Sequence, residues 1–268
     1  MSVSPDESRL FVASFARGLK ILTAFWEGKP SMSLPELANA SGMTKSAAQR
    51  FAYTLHALGY LHKNPQTKEY SLTPRSLEVG LRYLQTSPLV SAATPYLHAL
   101  TRVCEETSTL AERDGDEMVY VARFPSHREM FVNMPIGTRL PLYCSAAGRA
   151  VMSRLDPEEV ADILRHSTLH AFTSTTLTNV DDIMSRIRQA RTEGFAWTDS
   201  EFYQGDITVS APILGPHGEV LGAVSASTPS SRRSIEQARQ ELGPQVMEAA
   251  RSIGATTVHR RAGQVRAR

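Results

Sequence analysis

Apolar positions along this chain recur with two different periods, and the change from one to the other divides it. In the first part the period is helical. Phe11, Phe15, Leu19, Leu22 and Trp26 stand three and four residues apart, which predicts a helix whose apolar stripe closes a small core. Between Ser31 and Leu61 two short helices follow, with a tight turn between them. Ser33 and Glu36 have the spacing of a capping box, and Gly42 ends the first helix in a left-handed conformation that other residues resist. Thr44 caps the second helix, over about 45–58. At about 100° per residue, Ala47, Ala48, Phe51, Leu55 and Leu58 share one arc of it, while Lys45, Ser46, Gln49, Arg50, Tyr53 and Thr54 fill the other. Two short β-type runs, 60–63 and 69–72, then flank a turn built on Asn64-Pro65. Leu77, Leu81 and Leu84 space a further helix over 75–86, closed by Thr86-Ser87-Pro88.

From Leu89 the pattern lengthens. Ala93, Leu97, Leu100 and Cys104 predict a long helix, and strand-like runs follow at 109–113, 118–124 and 130–134. Asp114-Gly115-Asp116 is a hairpin turn between the first two. Helical spacing returns over 145–155, 157–166 and 180–192; strands are expected at 207–214 and 220–227, and a last helix at 235–254. Strands in hairpin pairs with helices between them predict an α+β fold with a mainly antiparallel sheet. The expected division is a winged helix-turn-helix domain at 1–74, a linker helix at 75–87, a second domain at 88–258 and a disordered basic tail at 259–268.

Composition adds the surroundings. With 268 residues, 41% of them hydrophobic and 21% charged, the chain has room for two ordinary globular cores. No apolar run is long enough to cross a bilayer, the N-terminus lacks the order of a signal peptide, and Cys104 and Cys144 form no disulfide framework. A cytoplasmic location is expected, without membrane or cofactor. The net charge of +2 is unevenly spread: residues 1–87 carry +4, residues 88–258 carry −6, and the tail carries +4. A basic head on an acidic body suits a nucleic-acid reader joined to a domain with another task.

The polar arc of the 45–58 helix holds no acid and two permanent cations among hydroxyls and an amide. Those are the donors that meet phosphates and base edges in a major groove. An ordinary solvated helix face has a similar look, but a basic hairpin directly after such a helix is the wing of a winged helix-turn-helix. Candidate contacts to double-stranded operator DNA are therefore Ser33, Thr44, Lys45, Ser46, Gln49, Arg50 and Tyr53, with Lys63 and Lys68 of the wing along the phosphates.

In the second domain Ala146-Ala147-Gly148 are small residues opening a helix, so nothing shields amides and a dipole end that attract a carboxylate; equally, they would permit close helix–sheet packing. Met130, Met134, Leu142 and Trp197 could form an apolar wall for a ring, or plain core. Asp199 and Glu201 would accept from a hydroxyl. An enzyme is the rival reading. No G-x-S-x-G, H-E-x-x-H, P-loop or G-x-G-x-x-G occurs. Cys144 is placed where a thiolate would be stabilised, but no spacing singles out a base among His127, His166, His170 and His217. His166 and His170 lack a third ligand for a metal. A DNA-binding protein without any ligand is the third reading, disfavoured by the size of the second domain.

With both halves in view, the chain resembles the IclR family of transcriptional regulators over nearly its whole length. LPELANASGMTKSAAQRFAYTLHALGYL is similar to the family's helix-turn-helix, and IGTRLPLYCSAAGRAVMS (136–153), EGFAWTDSEFYQGDITVSAPI (193–213) and GEVLGAVSAS (218–227) to its three effector-domain signatures. The resemblance implies a homodimer or dimer of dimers, a GAF-like or profilin-like effector domain and a small organic acid as effector. Carried over, it implies backbone donors at Ala146 and Ala147 beside Gly148, and side-chain contacts from Asp199, Thr208, Ser225 and Ser227. Tyr143 stands where the family often has His, and Arg149 where it usually has Lys. Gly-Arg recurs in the branch answering aromatic acids, which makes an aromatic acid the expected class.

Overall fold

The computed structural model describes residues 8–26, 28–128 and 134–266, those from 258 onward as backbone alone. The chain divides into two compact units, meeting between Leu84 and Gln85.

In the first unit, helix α1 (Ala13–Leu22) precedes a short strand β1 (Ser31–Met32), helix α2 (Leu34–Ala40), helix α3 (Lys45–Ala57) and the hairpin β2 (Leu61–Lys63) and β3 (Tyr70–Leu72). The three strands pair antiparallel in the order β1-β3-β2. At the start of α2 the Ser33 backbone N–H and hydroxyl both donate to the Glu36 carboxylate, at 2.8 and 2.7 Å. Lys29 approaches the other Glu36 oxygen at 2.7 Å. These contacts, that of Lys29 foremost, hold the Glu36 carboxyl down at about 2. Gly42 takes φ 65° between the helices, and the Thr44 hydroxyl accepts from the Ala47 N–H. The wing turns on Asn64, whose side-chain oxygen accepts from the backbone of Gln66 and Thr67.

The core of this unit corrects two expectations. Ile21, Leu37, Ala48, Ala52, Leu61 and Tyr70 are buried, whereas Phe11, Phe15, Leu19 and Trp26 are exposed. Helix α1 is apolar on two faces, and it packs by the one holding Gly18 and Ile21. The Phe51 ring of α3 lies at ordinary contact distance from the Gly18 position on this face. Leu58, expected in the α3 core stripe, is exposed as the residue that caps the helix, and Ala52 takes its place inside.

A 3₁₀ turn (Pro74–Ser76) leads into helix α4 (Leu77–Thr86), which buries none of its residues. The second unit opens with α5 (Pro88–Cys104) and builds a six-stranded antiparallel sheet from β4 (Thr107–Asp114), β5 (Glu117–Phe124), β6 (Arg139–Pro141), β7 (Ala196–Asp199), β8 (Asp206–Leu214) and β9 (Val220–Pro229). The strand order is β6-β5-β4-β9-β8-β7. Helices α6 (Ala146–Met152), α7 (Pro157–His166) and α8 (Val180–Glu193) are inserted between β6 and β7, and α9 (Ile235–Arg266) ends the chain. Alternation along the strands sends Ala111 and Ala223 toward Ala147 and Val151 of α6, while Ser108 donates to Leu97 of α5 on the opposite face.

Three further differences from the expectations appear. The strand expected over 130–134 lies outside the described residues except for Met134, and the third strand of that half is instead β6, too short and too polar to show as alternation. β7 was hidden for the same reason of length. Residues 259–266 are helical in backbone, as a continuation of α9.

Candidate functional site

On α3, Lys45, Ser46, Gln49, Arg50 and Tyr53 all lie on the exposed face opposite the buried Ala48 and Ala52. Lys45, Gln49 and Arg50 make no ion pair or side-chain hydrogen bond among the described residues, so their donors face water. The other candidates are partly engaged. The Ser33 hydroxyl is held by Glu36, Thr44 serves the helix cap, and Lys63 lies over the Tyr70 ring at 5.3 Å. Lys68, in the left-handed conformation at φ 63°, turns its ammonium back to the Pro65 carbonyl at 2.6 Å.

The second unit holds two small adjoining cavities on the α6 side of the sheet, of about 40 and 20 Å³, whose walls share Tyr120, Met134 and Asp206. The larger runs over Thr107, Thr109 and Ser227 toward Arg123 and Arg232. The smaller lies between Cys144–Ala147 on one wall and Glu201–Tyr203 on the other, with Thr208 at its floor. Of the residues expected at a ligand site, Ala146, Ala147, Thr208, Ser227, Met134 and Glu201 thus line a cavity. β-pairing explains part of this: Thr208 stands opposite Ser227 in the register of β8 and β9, and their hydroxyls are 2.8 Å apart.

Other expected residues are placed otherwise. Gly148 is packed against Leu142, and its N–H is already taken by the Ser145 hydroxyl at 3.1 Å, so both residues serve the fold of the wall. Ser225, buried one step deeper on the same face, donates to Ser210 at 2.9 Å. Asp199 lines neither cavity and accepts from the Ser200 hydroxyl at 2.9 Å. Trp197 lies against the guanidinium groups of Arg186 at 4.0 Å and Arg239 at 5.1 Å and lines neither cavity. Glu201 is not a solvated acid: it is 5% exposed, and both its oxygens are held by Arg149 at 2.5 Å. Met130 lies outside the described residues.

The walls also contain groups that spacing did not single out. Asp206 sits where the cavities meet and accepts from the Thr208 hydroxyl at 2.8 Å. Loss of water pushes its carboxyl up to about 6, with the charge of Asp199 adding to the rise and the Thr208 hydrogen bond opposing it. The Tyr120 phenol is buried and raised above its ordinary range, chiefly by burial. Thr109 Oγ1, near it, is buried without a well-formed hydrogen bond. Beneath the larger cavity Glu106 is buried between Arg232 at 2.5 Å and Arg233. The period-2 placement of Tyr120 and Thr109 was available as a signal; the pairing that brings them to Asp206 was not.

The chemistry offered for catalysis is poor. The Cys144 thiol is fully buried and pushed up to about 12, first by burial, which is the reverse of thiolate activation. His166 bonds back to the Asp162 carbonyl at 2.8 Å, and among the described residues no group of three ligating side chains could hold a metal.

A winged helix-turn-helix with an uncommitted polar face, joined to an antiparallel α+β domain with polar cavities, is the build of a DNA-binding transcriptional regulator. The IclR helix-turn-helix domain matches residues 14–65, and the bacterial transcriptional regulator IclR C-terminal domain matches residues 81–255. The chain belongs to the IclR family. It is 32% identical to the Pca regulon regulatory protein of Pseudomonas putida over 244 residues, 91% of this chain and 83% of that one. A protein structure from Rhodococcus sp. RHA1 shares 34% identity and a TM-score of 0.80, covering 92% of this chain and 98% of its own. An IclR homolog from Microbacterium hydrocarbonoxydans, solved with 4-hydroxybenzoate, covers 91% of this chain and 98% of its own at a TM-score of 0.75 and 20% identity, a likeness of fold.

Proposed function

We propose that this IclR-family regulator binds operator DNA through α3 and its wing, as a homodimer or dimer of dimers, and that a small organic acid in the sheet cavities sets its affinity for DNA. The observation carrying the reading is the joined pair of cavities, whose walls combine hydroxyls, the Asp206 carboxyl and the rings of Tyr120, Phe202 and Tyr203. Few polar groups placed among aromatic ones are what orients a small acid. At about 40 and 20 Å³ the cavities hold only a few waters, since one needs about 10–15 Å³. A ring can enter only by moving a wall, and a ligand that moves a wall can distinguish two states of the protein.

An aromatic acid is the class proposed, in keeping with the 4-hydroxybenzoate bound by the Microbacterium homolog and with the likeness to a Pca regulon regulator. Thr44, Lys45, Ser46, Gln49, Arg50 and Tyr53 would then meet DNA in the major groove, and Lys63 and Lys68 its phosphates. Self-association is supported by the apolar side chains left in water on and just before α1 (Phe11, Phe15, Leu19) and on α4 (Leu77, Val79, Leu81). The reading is of a protein that acts by binding and not by turnover, supported by its likeness to transcriptional regulators. Among the described residues no helix is long and apolar enough to cross a membrane, and work on DNA places the protein in the cytoplasm.

The test is a titration of fluorescent promoter DNA from the gene's own upstream region, with and without 4-hydroxybenzoate and related aromatic acids. Saturable, salt-dependent binding that at least one acid shifts is expected. No DNA binding at low salt would overturn the regulator reading for this chain, and DNA binding indifferent to every acid would overturn the effector reading.

A further inference from the structure

Arg149 is the largest fully buried side chain among the described residues. Each of its three guanidinium nitrogens is engaged. Nη1 and Nη2 donate to the two oxygens of Glu201 at 2.5 Å, and Nε donates to the Tyr143 carbonyl at 2.9 Å. Glu201 in turn accepts from the Leu177 N–H at 3.2 Å, while Thr176 and Thr173 donate to the carbonyls of Glu201 and Ser200, both at 2.6 Å. The guanidinium therefore stands behind the smaller cavity and reaches both of its walls. Tyr143 adjoins Cys144 and Ser145 on one side; Glu201 adjoins Phe202 and Tyr203 on the other.

We propose that Arg149 and Glu201 are a positioning pair that pins the two walls of this cavity at a fixed separation, the Glu201 carboxylate being spent on Arg149 and not on a ligand. The physical reason lies in what a buried ion pair supplies. Its Coulomb attraction is largely offset by the loss of water, so well-packed apolar residues often stabilise as much. What apolar residues cannot supply is direction. A planar fork making two parallel bonds to one loop and a third to the other fixes their mutual register. The threonines of 173–176 then strap the Glu201 side from outside. Opening the cavity for a ligand requires this set of bonds to bend as one unit.

The purpose of the pin rests on the effector reading, but its test does not. Cys144 is fully buried on the pinned wall, and Cys104 is buried on α5 as an internal reference. The intact protein and the double variant Arg149→Met/Glu201→Leu are alkylated with iodoacetamide at pH 8, and the two cysteines are followed by mass spectrometry. Removing both charges together also removes their opposed effects on the thiol, Arg149 lowering and Glu201 raising its pKa. We expect a melting temperature close to that of the intact protein and Cys144 labelling faster by about tenfold or more relative to Cys104, as for a locally opened segment. Arg149→Lys keeps the charge but loses the fork, and an intermediate rate is expected. A folded double variant in which Cys144 stays as protected as before overturns the proposal. If the double variant does not fold, unchanged protection in Arg149→Lys overturns it equally, and loss of folding in both variants would make the pair a stability element only. Because labelling uses no effector, a failed acid screen leaves this result standing, and the reverse holds too.

Discussion

Gly148 lies so close to Leu142 that a Cβ placed on it would stand 2.3 Å from the Leu142 carbonyl oxygen and 2.4 Å from its Cα. Those neighbours are backbone, which cannot swing aside as a flexible side chain can. The contact seats α6 on the wall of the smaller cavity. Gly148→Ala should therefore destabilise the second unit by roughly 1–3 kcal/mol or more, as overpacking of a tight site does. Urea unfolding followed by tryptophan fluorescence measures it. A midpoint equal to that of the intact protein would mean the wall yields freely.

On DNA, Arg50→Ala should weaken binding to the specific operator by about 1–3 kcal/mol if the guanidinium reads a guanine, with a smaller loss on unrelated duplex. Lys63→Ala should instead weaken all sequences alike and reduce the salt slope by about one. Fluorescence anisotropy at several salt concentrations separates the two. Equal losses for Arg50→Ala on both duplexes would make it a phosphate contact.

Asp206 sets a pH dependence whose sign follows from its raised carboxyl. The ordinary value is 3.8 and the folded value about 6. Between them the folded state keeps a proton that the unfolded chain releases. The contribution of Asp206 to stability falls as pH rises through that window, by at most about 1.4 kcal/mol per pH unit, and levels off above it. Asp206→Asn should remove this slope while leaving an acceptor for Thr208. An anion bound beside Asp206 would raise its carboxyl further, so acids should bind more tightly near pH 6 than near pH 8. Denaturant melts of both proteins between pH 4 and 7 decide the first point; equal slopes would show that Asp206 ionises as freely as in water.

Effector and DNA must also influence each other reciprocally. If an acid changes DNA affinity by a given factor, the operator changes acid affinity by the same factor, about 5- to 150-fold for a coupling of 1–3 kcal/mol. Thr208→Val, which deprives Asp206 of its donor and Ser227 of its partner, should weaken the acid without altering DNA binding by the free protein. Calorimetric titration of the acid with and without operator duplex tests this, and identical affinities in both would sink the idea of a switch.

Local chemistry made much of this protein legible in its sequence. Ser33, Gly42 and Thr44 mark helix ends because caps and left-handed turns depend on neighbouring residues alone, and Asn64 marks the wing for the same reason. The solvated face of α3 was legible because a helix of fixed period separates its polar residues without outside help. Tertiary structure decided what depends on partners distant in sequence. Which apolar face of α1 is buried was settled by the partners that Ile21 finds in the core, and periodicity is blind to that choice. The Arg149–Glu201 pair spans 52 positions, and the meeting of Tyr120, Asp206 and Thr208 required strands β5 and β8 to share one sheet. Cap and turn residues declare themselves through bonds a few residues long, whereas cavity walls and buried charges acquire their roles only when burial removes water from them.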